Sequence, residues 1–241
     1  MKLKTLLSTT AVSALSLAPA LAADVQVKAP LLLFTWTGFY AGANVGGVWA
    51  RSSVTDAGGL LGPLLTPLPR TYGHTYSGVI GGLQVGYNWQ TGSLVYGLEA
   101  DIDFSSAKKS TDLLPLTAPG NEFHRSSLSA LGTLRGRIGV ALDRTLLYAT
   151  GGVAYGWLRN QFVDVFLAFP ATTIATRGSS AWGWTAGGGI EHAFGNNWSV
   201  KVEYLHVRFA NEADTIFPGI NYLFKFKDSA SIARAGINYR F

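Results

Sequence analysis

The chain has no cysteine, a single methionine, and few charged residues, which make up 14% of its 241 residues. Without cysteine, neither disulfide bonds nor thiolate metal sites can form. Beyond the N-terminus there is no run of about 18 uncharged apolar residues, so the sequence does not predict a transmembrane helix. No Pro- or Ser-rich linker divides the chain, which favours a single domain.

Apolar residues are abundant but dispersed along the chain. They make up 48% of the sequence, alongside 29 glycines and 12% aromatic residues. This composition favours twisted strands with belts of aromatic side chains over a helical protein. The formal net charge of +5 is mild and its basic residues are scattered. We therefore do not expect a nucleic-acid partner.

The first residues have the pattern of a secretory signal. Lys2 and Lys4 precede an apolar stretch, which ends in Ala20-Leu21-Ala22. The alternative, a membrane anchor, is disfavoured because the apolar run is short and interrupted by Ser and Thr. The sequence predicts a cleaved signal peptide at 1–22, a periplasmic N-terminal linker at 23–36 and a barrel domain at 37–241.

The rest of the chain divides into eight segments with a side-chain period of two, which is typical of half-buried strands. They are 37–49, 77–89, 94–104, 127–140, 146–157, 181–194, 198–209 and 231–241. The clearest is 94–104, where apolar residues alternate with Glu99, Asp101 and Asp103. The orientation of 146–157 is left open because both of its faces are apolar, and alternation favours an outward face of Leu147, Ala149, Val153, Tyr155 and Trp157. Near His206 the alternation is lost, so we expect a bulge or a change of environment there.

The connections between these segments alternate between long and short. The predicted long loops are 51–76, 105–126, 158–180 and 210–230, and the predicted turns are 90–93, 141–145 and 195–197. Aromatic residues gather at both ends of the segments, as in the girdles of membrane barrels. The sequence therefore predicts an all-β fold: an eight-stranded antiparallel up-and-down transmembrane β-barrel with four long outer loops and three short periplasmic turns. Both termini would be periplasmic.

With the apolar faces towards lipid, the charged residues of the strands face the lumen. This predicted lumen charge cluster consists of Glu99, Asp101, Asp103, Arg135, Arg137, Glu191, Lys201, Glu203, Arg234 and Arg240. An eight-stranded barrel is only wide enough for side chains to fill, which favours a plug of ion pairs over an ion path. Glu191 and Lys201 are expected to pair across a turn. A general acid and base at Asp101 and Asp103 is disfavoured because arginines are available for pairing.

Several stretches resemble one known family. They are GFYAGANVGG, GVIGGLQVGYNWQTGSLVYGLEADID, SLSALGTLRGRIGVALDRTLLYATGGVAYG, WTAGGGIEHAFGNNWSVKVEYLHVRF and the closing ARAGINYRF. Together they resemble the small outer-membrane β-barrel proteins of alphaproteobacteria, which include surface immunogens and hemin-binding proteins and belong with the OmpA-like and porin-like barrels. The resemblance implies a location in the outer membrane. It also implies that the terminal strand, with Tyr239 and Phe241, is a recognition signal for the assembly machinery.

Two functions from different classes follow. The first is a structural or surface-interaction role in the outer membrane, with or without porin-like conductance, and with outer-membrane lipid, lipopolysaccharide and the assembly machinery as partners. The alternative is a receptor for heme or another ligand, in which the loop residues His74 and His124 would ligate the iron. A soluble secreted β-sandwich or lipocalin-like carrier is a third reading, and it fails if the apolar faces form a continuous outer belt. No Ser, His and acid stand at an interpretable spacing, so we do not expect an enzyme.

Overall fold

The structure is a computed structural model that describes residues 34–56, 70–112, 120–166, 172–210, 212–215 and 223–241. Phe34–Phe241 form one compact unit. The predicted signal peptide at 1–22 and most of the predicted linker lie outside the described residues. The strands are β1 (Gly38–Asp56), β2 (Arg70–Thr91), β3 (Leu94–Ser105), β4 (Lys108–Asp112), β5 (Gly120–Leu142), β6 (Thr145–Phe166), β7 (Thr172–Phe194), β8 (Trp198–Phe209), β9 (Glu212–Thr215) and β10 (Leu223–Arg240). Within the described ranges, no helix is long and apolar enough to cross a membrane.

The ten strands in the described part of the chain form an antiparallel barrel with eight strand positions around its wall. β4 continues β3 along β5, and β9 continues β8 along β10. β1 pairs with β2 on one side and with β10 on the other, in a register that sets Val45 opposite Ala235. β10 in turn pairs with β8. The last strand therefore closes the sheet between the first strand and β8, as an up-and-down barrel requires.

Three tight turns connect the strands at one end of the barrel, which we call the turn side. Gly92 and Gly195 have positive φ angles of 61° and 71°, which glycine adopts without steric cost. Asp143 has a φ of 55°, and aspartate is one of the few other residues that tolerate this conformation. The predicted turns at 90–93, 141–145 and 195–197 therefore lie where the sequence placed them.

At the opposite end, the loop side, the strands are longer than predicted. About half of the first predicted long loop, 51–76, is strand, because β1 runs to Asp56 and β2 begins at Arg70. The remainder of that loop, 57–69, lies outside the described residues, as do 113–119, 167–171, 211 and 216–222. A strand of 22 residues is about 73 Å long, more than twice the thickness of a hydrocarbon core. Backbone pairing with a neighbour extends these strands despite their polar composition, so the predicted loop boundaries were wrong.

The outer wall of the barrel carries a continuous apolar belt, as the sequence predicted. Large apolar side chains such as Leu83, Leu98, Leu134 and Val202 are 54–66% exposed on this wall. In β6, the strand whose orientation was open, Leu147, Val153 and Trp157 face outward. Such a belt excludes the soluble carrier, because water would contact the whole belt.

Aromatic side chains ring the belt at both ends and contact one another. At the turn side, Trp89 stacks on Tyr96 with ring centroids 5.7 Å apart. At the loop side, the rings of Tyr155 and Trp182 are 4.8 Å apart. Along a strand, ten residues separate the two levels, about 33 Å before strand tilt and about 25 Å after it. The two girdles therefore bracket a band of the height that an outer membrane needs.

The alternation of segment 127–140 predicts Leu128 on the lipid face together with Leu134, and this prediction is wrong because β5 contains a bulge. The pairing of β5 with β6 shifts register between Leu128 and Ala130, so Ser129 faces outward and Leu128 is buried. No register shift occurs near His206, where the bulge was expected. The alternation continues there, but the inward residues change from charged to apolar: Leu205, Val207 and Phe209 follow Glu203. The change of environment was therefore the correct alternative.

The lumen is filled by three layers of side chains. A central layer is charged and polar. Above it, towards the loop side, Val48, Ile80, Leu131, Leu205 and Ile232 are each 0% exposed and belong to an upper apolar layer. Below it, a lower apolar layer is formed by Trp36, Val95, Ala141, Leu146, Tyr148 and Ala193. The charged layer is thus enclosed between two apolar layers.

Candidate functional site

The central layer of the lumen contains most of the predicted charge cluster. The acids Glu99, Asp101 and Asp103 alternate along β3, Glu191 lies on β7 and Glu203 on β8. The cations are Arg135 and Arg137 on β5, Lys201 on β8 and Arg234 on β10. All nine side chains are at most 7% exposed. Five strands thus direct these charges into one small volume because their inward positions fall at the same height.

Arg135 is bonded to three acids at once. Its guanidinium forms ion pairs with Glu99, with Asp101 at 2.7 Å and with Glu203 at 3.0 Å. Its Nε also donates a hydrogen bond to the hydroxyl of Thr133 at 2.9 Å. Guanidinium is suited to this position because it offers five donors in one plane. Arg135 therefore links β5 to β3 and β8 across the lumen.

Arg234 makes a second set of ion pairs in the same layer. Its Nη1 donates to Asp103 at 2.5 Å and to Asp101 at 3.3 Å. Its Nη2 donates to Glu203 at 2.7 Å. Asp101 and Glu203 are therefore shared between the two arginines. These ion pairs connect β10 to β3 across the lumen. They add to the backbone pairing of β10 with β1 and β8.

The predicted pair of Glu191 with Lys201 does not form, although the two residues are Cα partners on neighbouring strands. Lys201 Nζ instead donates to both carboxylate oxygens of Glu99 at 2.9 Å. Glu191 accepts from Arg137 Nη2 at 2.7 Å. Side chains that face a narrow lumen can reach across it, so the nearest neighbour on the adjacent strand need not be the partner.

Neutral side chains complete the hydrogen bonds of the acids. Tyr40 donates to Glu99 at 2.8 Å and Tyr148 to Glu203 at 3.0 Å. Ser199 and Asn238 both donate to Glu191, at 2.6 and 2.8 Å. Sequence reasoning missed these four residues as parts of the site, although their inward positions follow from the alternation of their strands.

Two inward glycines make room for the tyrosines. A Cβ atom on Gly86 would overlap the ring and hydroxyl of Tyr40. A Cβ atom on Gly189 would lie 2.7 Å from the hydroxyl of Tyr148. Alanine at either position would therefore displace a tyrosine from the acid that accepts its hydrogen bond.

Arg240 lies outside this network, at the turn-side mouth of the barrel. Its Nη2 donates to the carbonyl of Asn196 at 2.6 Å, and its guanidinium stands 4.3 Å from the centre of the Phe34 ring. Trp36 is 2% exposed and donates its backbone N–H to Gln90 at 2.7 Å. The described end of the predicted linker is therefore part of the barrel core. The pocket left between Phe34, Trp36 and Glu191 is about 10 Å³, roughly the room for one water molecule.

The two predicted heme ligands lie on different strands of the loop-side extension, which is the part of the strands beyond the loop-side girdle. His74 is on β2, where burial, and secondarily Lys109, lowers the pKa of its imidazole. His124 is on β5, with its backbone opposite Thr111 and Phe162. Below His74, the lumen is filled by Tyr76 and Ile80, which are 3% and 0% exposed. The described residues hold no group of three or more His or acidic side chains that could bind a metal ion, and heme binding through His74 and His124 stays a prediction.

The predicted assembly signal lies at the turn-side girdle. The Tyr239 ring is 5.0 Å from the ring of Trp198 and 5.2 Å from that of Phe241. Phe241 is 77% exposed, and its N–H donates to the carbonyl of Phe39 at 3.0 Å. The C-terminal aromatic residues are thus held on the outer wall at the seam between β1 and β10.

Comparison with known proteins places this architecture in a family. The model of the outer membrane protein beta-barrel domain matches residues 7–241. The 31 kDa outer-membrane immunogenic protein of Brucella melitensis is 33% identical, over 95% of this chain and 97% of its own. The 25 kDa outer-membrane immunogenic protein of Brucella abortus is 30% identical, over 99% of this chain and 100% of its own.

Among solved structures, the outer membrane protease OmpT of Escherichia coli superposes with a TM-score of 0.51 at 11% identity, covering 88% of this chain and 99% of that one. At this identity the likeness extends to the fold alone. The names of the relatives in Brucella are not those of enzymes. The closed barrel with its apolar belt, the family match over nearly the whole chain and these relatives lead to one conclusion: the chain belongs to the outer-membrane β-barrel protein family and is an alphaproteobacterial-type outer-membrane protein.

Proposed function

We propose that this protein is a closed structural barrel of the outer membrane, which does not conduct solutes and which acts through the surface of its loop-side extension. The observation that carries the proposal is the filled lumen. A solute would have to pass the upper apolar layer, the charged layer and the lower apolar layer in turn. Side chains that are at most 9% exposed occupy all three layers. The acids serve to hold the wall together, because each of them is bonded to at least one cation.

Electrical recording from a planar bilayer tests the absence of conductance. We expect no reproducible conductance steps from the purified refolded protein, and none from a Glu99→Gln variant, while a wide porin inserted in the same bilayer conducts. Heat-modifiable migration on a gel verifies that both proteins are folded. Regular steps in the wild type, with a cation selectivity that changes in Glu99→Gln, would contradict the proposal and favour an ion path.

We further propose that the turn side faces the periplasm and that residues 1–22 are removed on export. Both termini would then be periplasmic, and the loop-side extension would stand outside the cell. The short turns on one side and the long strand extensions on the other support this orientation. Sequencing of the mature N-terminus, with protease treatment of whole cells, tests both points. A mature chain that begins before residue 23, or cleavage in the turns of intact cells, would contradict them.

A role for the terminal strand in assembly belongs to the same proposal. Tyr239 and Phe241 face outward, where the assembly machinery can contact them before the barrel closes. No catalytic role is proposed, because Asp101 and Asp103 are held by arginines and enclosed between apolar layers, away from any substrate.

A further inference from the structure

A group of basic side chains stands on the outer wall, immediately above the loop-side girdle. Arg51 on β1 and Arg208 on β8 are both Cα partners of Ser229 on β10, so the three form one row across three strands. Lys227 lies one outward position further along β10, opposite Ser53. The three basic side chains are exposed and face away from the lumen.

These residues line a shallow pocket, which we call the basic pocket. Its volume is about 140 Å³, and Arg51, Ser53, His206, Arg208, Lys227 and Ser229 line it. Asp228 also borders the pocket, but it alternates to the lumen side, where it interacts with Tyr76. Within the described part of the chain, none of the three cations forms an ion pair. Because these side chains are exposed, their charge can reach a partner outside the chain.

The floor of the basic pocket joins it to the girdle. His206 Nδ1 is 3.3 Å from the hydroxyl of Ser231, and the His206 ring lies 6.0 Å from the ring of Trp184. Arg208 is the Cα partner of Trp184, and Arg51 follows Trp49 by two residues. Tryptophan girdles mark the boundary between lipid tails and headgroups. The basic pocket therefore lies at the level of the lipid headgroups, and of the outer leaflet when the loop side faces outward as proposed above.

The spacing of the cations suits a phosphate group. One strand, β10, separates Arg51 from Arg208, so their Cα atoms are two strand spacings or about 10 Å apart, and both side chains can reach a group above Ser229. Arginine binds phosphate oxygens with two parallel hydrogen bonds, while Lys227 and the serine hydroxyls can supply further donors. A free anion would be weakly held at so open a surface, whereas a lipid packed against the belt is already positioned by its tails.

We propose that the basic pocket binds a phosphate on the headgroup of the outer-leaflet glycolipid, whose acyl chains lie on the apolar belt below. This inference does not depend on whether the lumen conducts. Arg159 on β6 offers a matched comparison. It follows Trp157 by two residues, as Arg51 follows Trp49, and is likewise exposed. Arg159 has the same charge at the same height but lies outside the pocket.

Titration of the refolded protein in neutral detergent with phosphorylated lipid A tests the proposal. Each basic residue near a membrane surface strengthens binding of an anionic lipid roughly fivefold. We expect Arg51→Gln/Arg208→Gln to weaken binding roughly twentyfold, and Arg159→Gln to change it less than twofold. Lipid A from which the phosphates have been removed should bind the wild type as weakly as phosphorylated lipid A binds the double variant. Gel migration before and after heating verifies that each variant is folded.

Three outcomes would overturn the proposal. A loss of about fivefold in Arg159→Gln, the share of one charge in the double variant, would mean that only the overall charge matters. Equal binding of the dephosphorylated lipid would remove the phosphate as the recognised group. Inorganic phosphate that binds as tightly as the lipid would assign the pocket to a free anion. Weaker binding of the phosphorylated lipid as salt is raised is expected in addition, because exposed charges are screened within about 8 Å at physiological ionic strength.

Discussion

Replacement of Arg135 by methionine is the most direct test of the charged layer. Methionine is similar in length and apolar, so the change removes the charge and leaves little cavity. Glu99, Asp101 and Glu203 would each lose an ion pair. The remaining cations Lys201 and Arg234 are already bonded to these same acids. The lumen would then contain buried carboxylates with too few cations.

The expected cost follows from the burial of these groups. Removing one partner of a buried ion pair costs about 3–5 kcal/mol, because the other charge remains in a medium that solvates it poorly. Arg135 and its acids are 0–2% exposed in their side chains, so water offers little compensation. We expect Arg135→Met to lower the free energy of unfolding by about 3–5 kcal/mol. Removing one acid at the same time, in Arg135→Met/Glu203→Gln, should restore part of this loss.

Urea unfolding in lipid vesicles, followed by tryptophan fluorescence, measures these differences. Arg159→Met is the control on the outer wall, and it should change the free energy of unfolding by less than about 0.5 kcal/mol, as surface substitutions usually do. A loss below about 1 kcal/mol in Arg135→Met would refute the reasoning, since it would place the cost near that of an exposed pair. The reasoning would also be refuted if the double variant lost more free energy of unfolding than its two single variants lose together.

The other predictions concern the apolar layers, the mouth, the terminus and the loop-side extension. Leu205→Ala should lower the free energy of unfolding by about 2–5 kcal/mol through a cavity in the upper layer, measured by the same urea assay, and a loss near zero would mean that this layer is loosely packed. Trp36→Ala should destabilise the barrel by about 3–5 kcal/mol. Planar bilayers with this variant should still show no conductance, because the charged layer above Trp36 is intact. Conductance would mean that Trp36, and not the charged layer, is the barrier to ions. Deletion of Phe241 should reduce the amount of protein inserted in the outer membrane, measured in cell fractions, while the refolded variant keeps its heat-modifiable migration; unchanged insertion would argue against the assembly role. The effect of pH on stability through His74 follows from the lowered pKa of its imidazole in the folded state. The unfolded state, with an imidazole pKa of about 6.5, takes up the proton more readily. The folded state is therefore destabilised as the pH falls below about 6.5. The unfolding midpoint of the wild type should therefore fall more steeply with acid than that of His74→Gln, and parallel curves would contradict this.

Most of the barrel wall could be predicted from the sequence because strand alternation is a local property. Leu98, Ile102 and Phe104 were assigned to lipid, and Glu99 and Asp103 to the lumen, from their order alone. The turns were equally local, since Gly92, Asp143 and Gly195 tolerate a left-handed backbone. These inferences needed no knowledge of the neighbouring strands.

The errors arose where neighbouring strands decide the outcome. The bulge at Ser129 turns Leu128 inward, and no residue type in β5 predicts it. The ends of the strands at the loop side depend on pairing partners, because hydrogen bonds to a neighbouring strand hold polar segments in β-structure. Lys201 bonds with Glu99 instead of Glu191 because a narrow lumen brings distant strands as close as adjacent ones.

The sequence by itself determined that this protein is a membrane barrel, which residues line its lumen and where its turns lie, because the period of two and the turn residues act over a few neighbouring positions. Only the tertiary structure decided how the charges pair, that apolar layers enclose them, and that Arg51, Arg208 and Lys227 meet on the outer wall. These features depend on the register of closure between β1, β10 and β8. Residues more than 150 positions apart in the chain become neighbours only when the barrel closes.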